Sequence, residues 1–226
     1  MSRLGRKFFG RDTLVVARDL LGRTLYHETA EGTAAGRIVE VEAYGGSEDP
    51  GSHAFRGMTR RNTVMFGPPG YLYVYFTYGM HCCANLVTEP EGTAGAVLLR
   101  AVEPTVGLEL MAARRGTEVV SALAAGPGRL CRAFGIDLAL NGADLVEGPV
   151  WVGEPRLLRG PEQASPRVGL RAGIDEHWRF FEDGPWTSRR GLARAPNRST
   201  GASASDRSPP LSPGEPSSPD PVSDLR

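Results

Sequence analysis

The stretch that most constrains the fold is a strand-forming run with two carboxylates, RIVEVEAY, at residues 37–44. Its β-branched residues favour an extended conformation, and glycines bound the run on both sides. Because successive side chains of a strand point in opposite directions, Glu40 and Glu42 share one face with the ring of Tyr44. A carboxylate beside a ring suits a site that holds a flat molecule and activates a small one. Taken alone, however, the run predicts an edge strand with a solvated acidic face.

A tyrosine-rich hairpin is predicted at residues 67–85, with an aromatic strand at 71–77 and a return strand at 82–88. Tyr78 falls at its tight turn, where a large ring is exposed unless it contacts a partner. Asn85 lies on the return strand although asparagine is depleted in strands. Core packing therefore explains neither residue well.

A third unusual residue is Arg100, which interrupts the apolar strand AVLLRAV at residues 96–102. A guanidinium in a central strand is costly unless it is paired with a carboxylate. Glu42 and Glu103 are the candidate partners.

Helices and short strands account for much of the remaining chain. Asp12 has the position of an N-cap for a helix that continues to about Leu21. Two further helices are predicted at residues 104–115 and 126–134, and two short strands at 145–155 and 166–170.

The net charge is zero, so a nucleic-acid partner would have to be held by local patches of arginine. One candidate patch lies in the long polar loop at residues 45–69, which also carries His53. Arginines in such a loop either bind phosphate groups or are simply solvated, and the sequence leaves both open. The candidate patches are Arg56/Arg60/Arg61, Arg114/Arg115 and Arg129/Arg132.

Lysine and cysteine content argue against two kinds of chemistry. The chain has a single lysine, Lys7, in a basic N-terminal stretch, which disfavours Schiff-base catalysis. The spacing of Cys82, Cys83 and Cys131 supports neither a zinc site nor a disulfide framework. These residue types therefore support neither a Schiff-base lysine nor a zinc site.

The two ends of the chain bear on location and domain organisation. The sequence has no apolar run of the roughly 20 residues that cross a bilayer, and its N-terminus lacks a signal-peptide core. We expect a cytoplasmic protein with no membrane partner. Residues 189–226 are rich in Ser, Pro and Gly, which predicts a disordered tail after a domain at residues 1–188.

Several motifs occur together in one order: RIVEVEAY, E-D-x-x-x-H, RRN-x-x-MFG-x-PG-x-LYVYF-x-YGMH-x-x-x-N, G-x-x-x-AVLLRAVEP, GPGRLCRAFGI and PRVG. From about Phe8 to Trp186 this order resembles the alkyladenine (3-methyladenine, methylpurine) DNA glycosylase family. The resemblance implies a single mixed α/β (α+β) domain around a curved antiparallel sheet, with flanking helices and a protruding hairpin, similar to a formyltransferase C-terminal domain.

The resemblance also implies a function in base excision repair. Such an enzyme flips alkylated purines out of duplex DNA and hydrolyses the N-glycosidic bond without lyase activity, acting as a monomer with no metal or cofactor. Glu42 would activate the attacking water, which Arg100 and the backbone carbonyl of Val168 would also hold. Glu40, on the same strand face, is the competing general base.

The same resemblance assigns the base pocket and the contacts to duplex DNA. Tyr44 on one side, with His53 and Tyr75 on the other, would sandwich the purine, and Asn85 would disfavour the exocyclic amine of guanine. Tyr78 would fill the gap in the duplex. Candidates for contacts with the DNA backbone are the loop arginines Arg56, Arg60 and Arg61, which the local patch suggests and the resemblance does not single out.

Two other functions remain open. A damage- or RNA-binding module would use the same stacking rings but would not need Glu42 and Arg100 to converge. A hydrolase of free nucleosides would need neither an exposed Tyr78 nor patches of arginine.

Overall fold

A computed structural model describes residues 2–77 and 79–188. The Tyr78 wedge and the predicted tail at residues 189–226 therefore lie outside the described residues. The helices are α1 Arg6–Phe9, α2 Thr13–Leu20, α3 Leu108–Arg115, α4 Val120–Leu123 and α5 Pro127–Phe134, with 3₁₀ turns at Thr63–Phe66 and Leu138–Leu140. The strands are β1 Thr24–Thr29, β2 Gly32–Tyr44, β3 Leu72–Thr77, β4 His81–Val87, β5 Ala96–Val106, β6 Val150–Gly153, β7 Glu162–Ser165 and β8 Arg179–Glu182.

The strands form one antiparallel, curled sheet in the order β3-β4-β5-β2-β1-β6, and β8 pairs with β2 and β7. This arrangement confirms the predicted mixed α+β fold. β2 is a central strand, so the prediction of an edge strand with a solvated acidic face is wrong. β5 pairs with one edge of β2, while β1 and β8 share the other edge, and both Glu40 and Glu42 are fully buried.

The helices pack on the sheet around one main apolar cluster. Val16, Ala17 and Leu20 of α2 and Leu130 and Phe134 of α5 are all buried in it. Asp12 accepts hydrogen bonds from the backbone N–H groups of the first turn of α2, which confirms the predicted N-cap. Such a cap is worth about 1 kcal/mol.

The predicted hairpin is confirmed, with Leu72 opposite Leu86 at its base and Thr77 opposite His81 at its outer end. The apolar side chain of Leu72 is buried, whereas those of Phe76 and Met80 are 47% and 68% exposed. The outer half of the hairpin thus extends beyond the core.

Two predicted elements differ in the structure. The helix expected from Pro104 begins at Leu108, because β5 runs on to Val106 and Gly107 (φ 74°) then turns the chain. The strand expected at residues 166–170 is irregular, since β7 ends immediately before Pro166, which has no N–H to donate. This irregular segment reaches the site described below.

Within the described part of the chain, none of the helices is long and apolar enough to span a membrane. Searched over the same residues, the His, Cys, Asp and Glu side chains form no group of three or more that could hold a metal ion.

Candidate active site

The carboxylate of Glu42 is the centre of the site, and three donors from different segments converge on it. The Tyr44 hydroxyl donates to Oε2 (2.8 Å), and the backbone N–H of Val168 donates to Oε1 (2.7 Å). Arg100 Nη1 lies 3.1 Å from Oε2. The structure thus brings Glu42, Arg100 and Val168 together as predicted.

Glu42 has acceptor capacity for a further hydrogen bond, although its side chain is fully buried. An ionised carboxylate has about four acceptor positions, and among the described residues Oε1 accepts from Val168 alone. A water molecule could therefore donate to Oε1. The predicted role of the Val168 carbonyl as a second holder of that water stays a prediction, because the contact seen here is made by its N–H.

Glu40 is the competing carboxylate, and its oxygens are differently occupied. Oε1 accepts from Nε of both Arg100 and Arg179 (2.7 Å each), and Oε2 accepts from the backbone N–H of Ser188 (2.8 Å). Its partners are two arginines and a backbone N–H, none of which lines the cavity described below. Glu40 therefore orients Arg100, whereas Glu42 is bonded to a residue that lines the cavity, Tyr44.

Arg100 is the buried link between the two carboxylates. Burial acts to lower its pKa, but the charges of Glu42 and Glu40 outweigh that effect and raise it, so the guanidinium stays charged. The other predicted partner of Arg100, Glu103, is not its partner in the structure, because Glu103 pairs with Arg37 and Arg159. Glu103 lies three residues further along β5 and so points to the other face of the sheet.

Tyr44 joins the carboxylate to the cavity. Burial raises the pKa of its hydroxyl well above the usual value, and the adjacent Glu42 carboxylate raises it further. The hydroxyl therefore remains protonated and acts as a donor to Glu42.

The cavity next to Glu42 has a volume of about 90 Å³, small beside the roughly 300–1,000 Å³ of most ligand sites. A space of this size excludes any ligand much larger than a single heterocycle, and even a purine requires the cavity walls to move apart. Every residue predicted to bind the base lines it. The lining comprises Tyr44, Gly51, His53, Met65, Tyr73, Tyr75, Asn85 and Leu170.

His53 and Tyr75 form one wall, but their rings are not parallel. Their centroids are 4.5 Å apart and their planes meet at 68°. As they stand, the two rings cannot both lie flat against one base. His53 also bonds the Tyr73 hydroxyl through Nδ1 (3.1 Å). Burial, and then the charge of Arg61, lower the pKa of His53, so the ring is neutral near pH 7.

Asn85 faces the cavity from β4 and is 4% exposed. Its Nδ2 donates to the backbone carbonyl of Tyr73 across the hairpin (3.2 Å). This bond fixes the orientation of the amide, which explains how a strand accommodates an asparagine at this position.

A buried ion pair that sequence reasoning missed holds the cavity walls together. Arg167 makes two 2.6 Å bonds to Asp49, donates to the carbonyl of Ala43, and lies over the ring of Tyr44 at 4.7 Å. Asp49 accepts backbone N–H bonds from residues 45 and 51. The pair thus joins the end of β2, the loop after it and the segment that carries Val168. The motifs E-D-x-x-x-H and PRVG contained both residues, but nothing local in the sequence pairs them.

The three loop arginines predicted to contact DNA are exposed. Arg61 also donates to the carbonyl of Phe76 (3.3 Å) and lies 5.4 Å from the centre of the Tyr75 ring. Arg61 therefore packs on the hairpin. Among the described residues, none of the three loop arginines has an ion-pair partner. Their predicted contacts with phosphate stay predictions.

A larger groove of about 650 Å³ lies between α3 and α4. Its lining includes Leu108, Ala112 and Leu123 with two carboxylates, Glu109 and Glu118, but no aromatic ring. Because it offers neither stacking surface nor convergent donors, the smaller aromatic cavity is the candidate active site.

Comparison with known proteins gives one family. Residues 7–185 match the model of a family described as methylpurine-DNA glycosylase (MPG). A protein of Methanoculleus marisnigri is 50% identical over 191 residues, which cover 81% of this chain and 97% of that protein. Proteins of Prosthecochloris aestuarii and Streptomyces avermitilis are 48% and 49% identical, covering 84% and 86% of this chain and 92% and 94% of their own lengths. All three bear the name "Putative 3-methyladenine DNA glycosylase".

Proposed function

Because this chain belongs to the methylpurine-DNA glycosylase family, we propose that it is a monofunctional DNA glycosylase that releases alkylated purines from duplex DNA by hydrolysis. The observation that carries the proposal is the convergence of Arg100, Tyr44 and Val168 on the Glu42 carboxylate beside an aromatic cavity. Family membership, inferred above from ordered motifs, is confirmed by the comparisons.

Binding begins with rotation of the damaged nucleotide out of the duplex, which costs a few kcal/mol. Stacking on Tyr44 and on one of the rings of the opposite wall returns about 1–3 kcal/mol per base. A purine alkylated at N3 or N7 is cationic and gains further attraction from the ring faces. The neutral state of His53 favours such a base, since a charged imidazole would repel it. In this account Tyr78 fills the space that the base leaves.

Hydrolysis requires a nucleophile and a leaving group. The oxygen of a water held by Glu42 attacks C1′ of the sugar, and Glu42 takes a proton from that water. The N-glycosidic bond breaks with its electron pair passing to the purine, which neutralises the positive charge of the base. The products are a free base and an abasic sugar with a hydroxyl at C1′. Because the cationic base needs no protonation to leave, one carboxylate suffices where glycoside hydrolases usually carry two.

The experiment that tests the function is release of free base from methylated duplex DNA, measured by chromatography beside the same assay on a methylated free nucleoside. We expect free 3-methyladenine from the duplex, an intact DNA strand at the abasic site and no turnover of the nucleoside. Binding without release would instead identify a damage-binding module, and turnover of the nucleoside would identify a nucleoside hydrolase.

We further propose that the protein acts as a monomer in the cytoplasm, at the nucleoid.

Asn85 provides a test of base selection. Replacing it with Ala removes the amide from the cavity wall, so guanine-derived bases, which carry an exocyclic amine, should be better accepted. We expect the ratio of 7-methylguanine to 3-methyladenine release to rise about 10-fold. This is the low end of the discrimination between substrates that one small group in a binding pocket provides.

The control for Asn85→Ala is Asn141→Ala. Asn141 also bonds the backbone of β3, through Oδ1 to the N–H of Val74, but it does not line the cavity. The Asn141 variant should lose stability without changing the ratio of released bases. An unchanged ratio in the Asn85 variant would remove that residue from base selection.

A further inference from the structure

Cationic side chains without a carboxylate partner are unevenly distributed in this neutral protein. Most arginines in the described ranges 2–77 and 79–188 form ion pairs, so their charges are locally cancelled. The cations of those ranges without an ion pair are Lys7, Arg56, Arg60, Arg61, Arg115, Arg129, Arg132 and Arg171. Except for Lys7, they lie in the loop after β2, beside the cavity residue Leu170, or on α3 and α5.

The group on α3 and α5 is a cluster of like charges. Arg129 and Arg132 are exposed on α5, and Arg115 is half-buried at the end of α3. Partial burial lowers the pKa of Arg115, and the nearby charges of Arg129 and Arg132 lower it further. These guanidiniums therefore repel one another in the free protein. An anionic partner would relieve that repulsion.

The cluster is next to the hairpin that extends from the core. α5 packs against β4, and its first turn is so close to the hairpin that a Cβ on Gly128 would lie 3.0 Å from the ring of His81. His81 begins β4, directly after the turn at the tip. On the other strand of the hairpin, Arg61 bonds the carbonyl of Phe76. Unpaired cations therefore flank the outer half of the hairpin on both its β3 and β4 sides.

We propose that Arg115, Arg129 and Arg132 form a second contact surface for the phosphate backbone of duplex DNA, on the β4 side of the hairpin. The loop arginines would hold the backbone on the β3 side. This inference rests on the proposed function, and it explains how a chain of zero net charge holds a polyanion: among the described residues most other arginines are paired with carboxylates, whereas the unpaired ones are concentrated near the hairpin.

The test is the salt dependence of binding to undamaged duplex DNA by the full chain and by Arg129→Gln/Arg132→Gln. Each phosphate contact contributes about 0.9 to the slope of log K against log salt. Loss of two contacts should flatten the slope by about 1.8 and weaken binding to damaged and undamaged DNA alike. The single variant Arg129→Gln, which keeps the bond from Arg132 Nε to the carbonyl of Arg114, should flatten it by about 0.9.

Lys7→Gln is the matched control, because Lys7 is also an exposed, unpaired cation. Its helix contacts Pro69 and Gly70 at the start of the hairpin, about 20 Å from the tip for a six-residue strand. The slope of log K against log salt for Lys7→Gln should therefore equal that of the wild type. A slope in the folded Arg129 variants equal to that of Lys7→Gln would overturn the inference. The binding assay needs no catalysis, so failure of base release by the wild type would count against the proposed function alone.

Discussion

Replacing Glu42 with glutamine is expected to slow release of 3-methyladenine from duplex DNA by about 10²- to 10⁴-fold, the usual contribution of a general base. Glutamine has the same size and can still accept the N–H of Val168 through its amide oxygen. It cannot take a proton from water, and its NH₂ group would face Arg100 and the donating hydroxyl of Tyr44. Single-turnover assays with excess protein measure the loss directly.

Affinity for DNA with a lesion should survive this substitution, because the rings of Tyr44 and Tyr75 remain. Glu103→Gln is the control, since Glu103 is another buried carboxylate with arginine partners, but, unlike Glu42, it forms no bond with a residue that lines the cavity. That variant should be less stable yet release base at the wild-type rate once folded. Wild-type turnover in Glu42→Gln would remove Glu42 from the reaction.

Replacing Arg167 with methionine is expected to lower the free energy of unfolding by about 3–5 kcal/mol, the usual cost of leaving one member of a buried ion pair without its partner. Asp49 is 1% exposed and would retain two backbone N–H donors but no opposite charge. Tyr44 and Val168 would lose the residue that joins their segments, so base release should also slow. Chemical denaturation gives the stability, and the excision assay gives the rate.

The double variant Asp49→Asn/Arg167→Met is the control for the ion pair. It removes both charges, so it should be more stable than the sum of the two single losses predicts. Together with Asp49→Asn and Arg167→Met alone, this variant completes a double-mutant cycle. If the losses in free energy of unfolding are additive, the two side chains contribute no coupling energy.

The effect of Arg167→Met should depend on pH. Burial acts to raise the pKa of Asp49, but the hydrogen bonds and charge of Arg167 outweigh it and lower the pKa below its ordinary value. A carboxyl with a depressed pKa stabilises the fold above its unfolded pKa of about 4, and this contribution is lost as the pH falls through the folded value. The stability difference between wild type and variant should therefore be largest near pH 7 and shrink below about pH 4.

Local sequence patterns predicted the elements whose signals are local. Asp12 identified the start of α2, and the alternation in residues 71–77 identified the hairpin. The cost of burying a lone guanidinium predicted that Arg100 faces a carboxylate, and Glu42 is one of its two partners. These inferences need only propensity, periodicity and the energetics of charge burial.

The position of a strand within the sheet is not a local property, and the sequence reasoning failed there. The two glutamates of RIVEVEAY suggested a strand at the edge of the sheet with one solvated face. In the structure, β5 pairs with one edge of this strand and β1 and β8 with the other. Arg100 and Arg179 balance the charge of its buried glutamates. The pairing of Asp49 with Arg167 spans more than a hundred residues and depends on the irregular segment after Pro166. Assigning roles to Glu42, His53 and Val168 required family resemblance, since each has an ordinary structural explanation when taken alone.

The most direct measurement of the central claim is a crystal structure of Glu42→Gln bound to a duplex that contains one alkylated adenine. We predict that the base lies outside the helix, against the ring of Tyr44 and beside Asn85, with C1′ within reach of a water on residue 42. A base still stacked in the duplex, or DNA bound with the Tyr44–Tyr75 cavity facing away from it, would contradict the account.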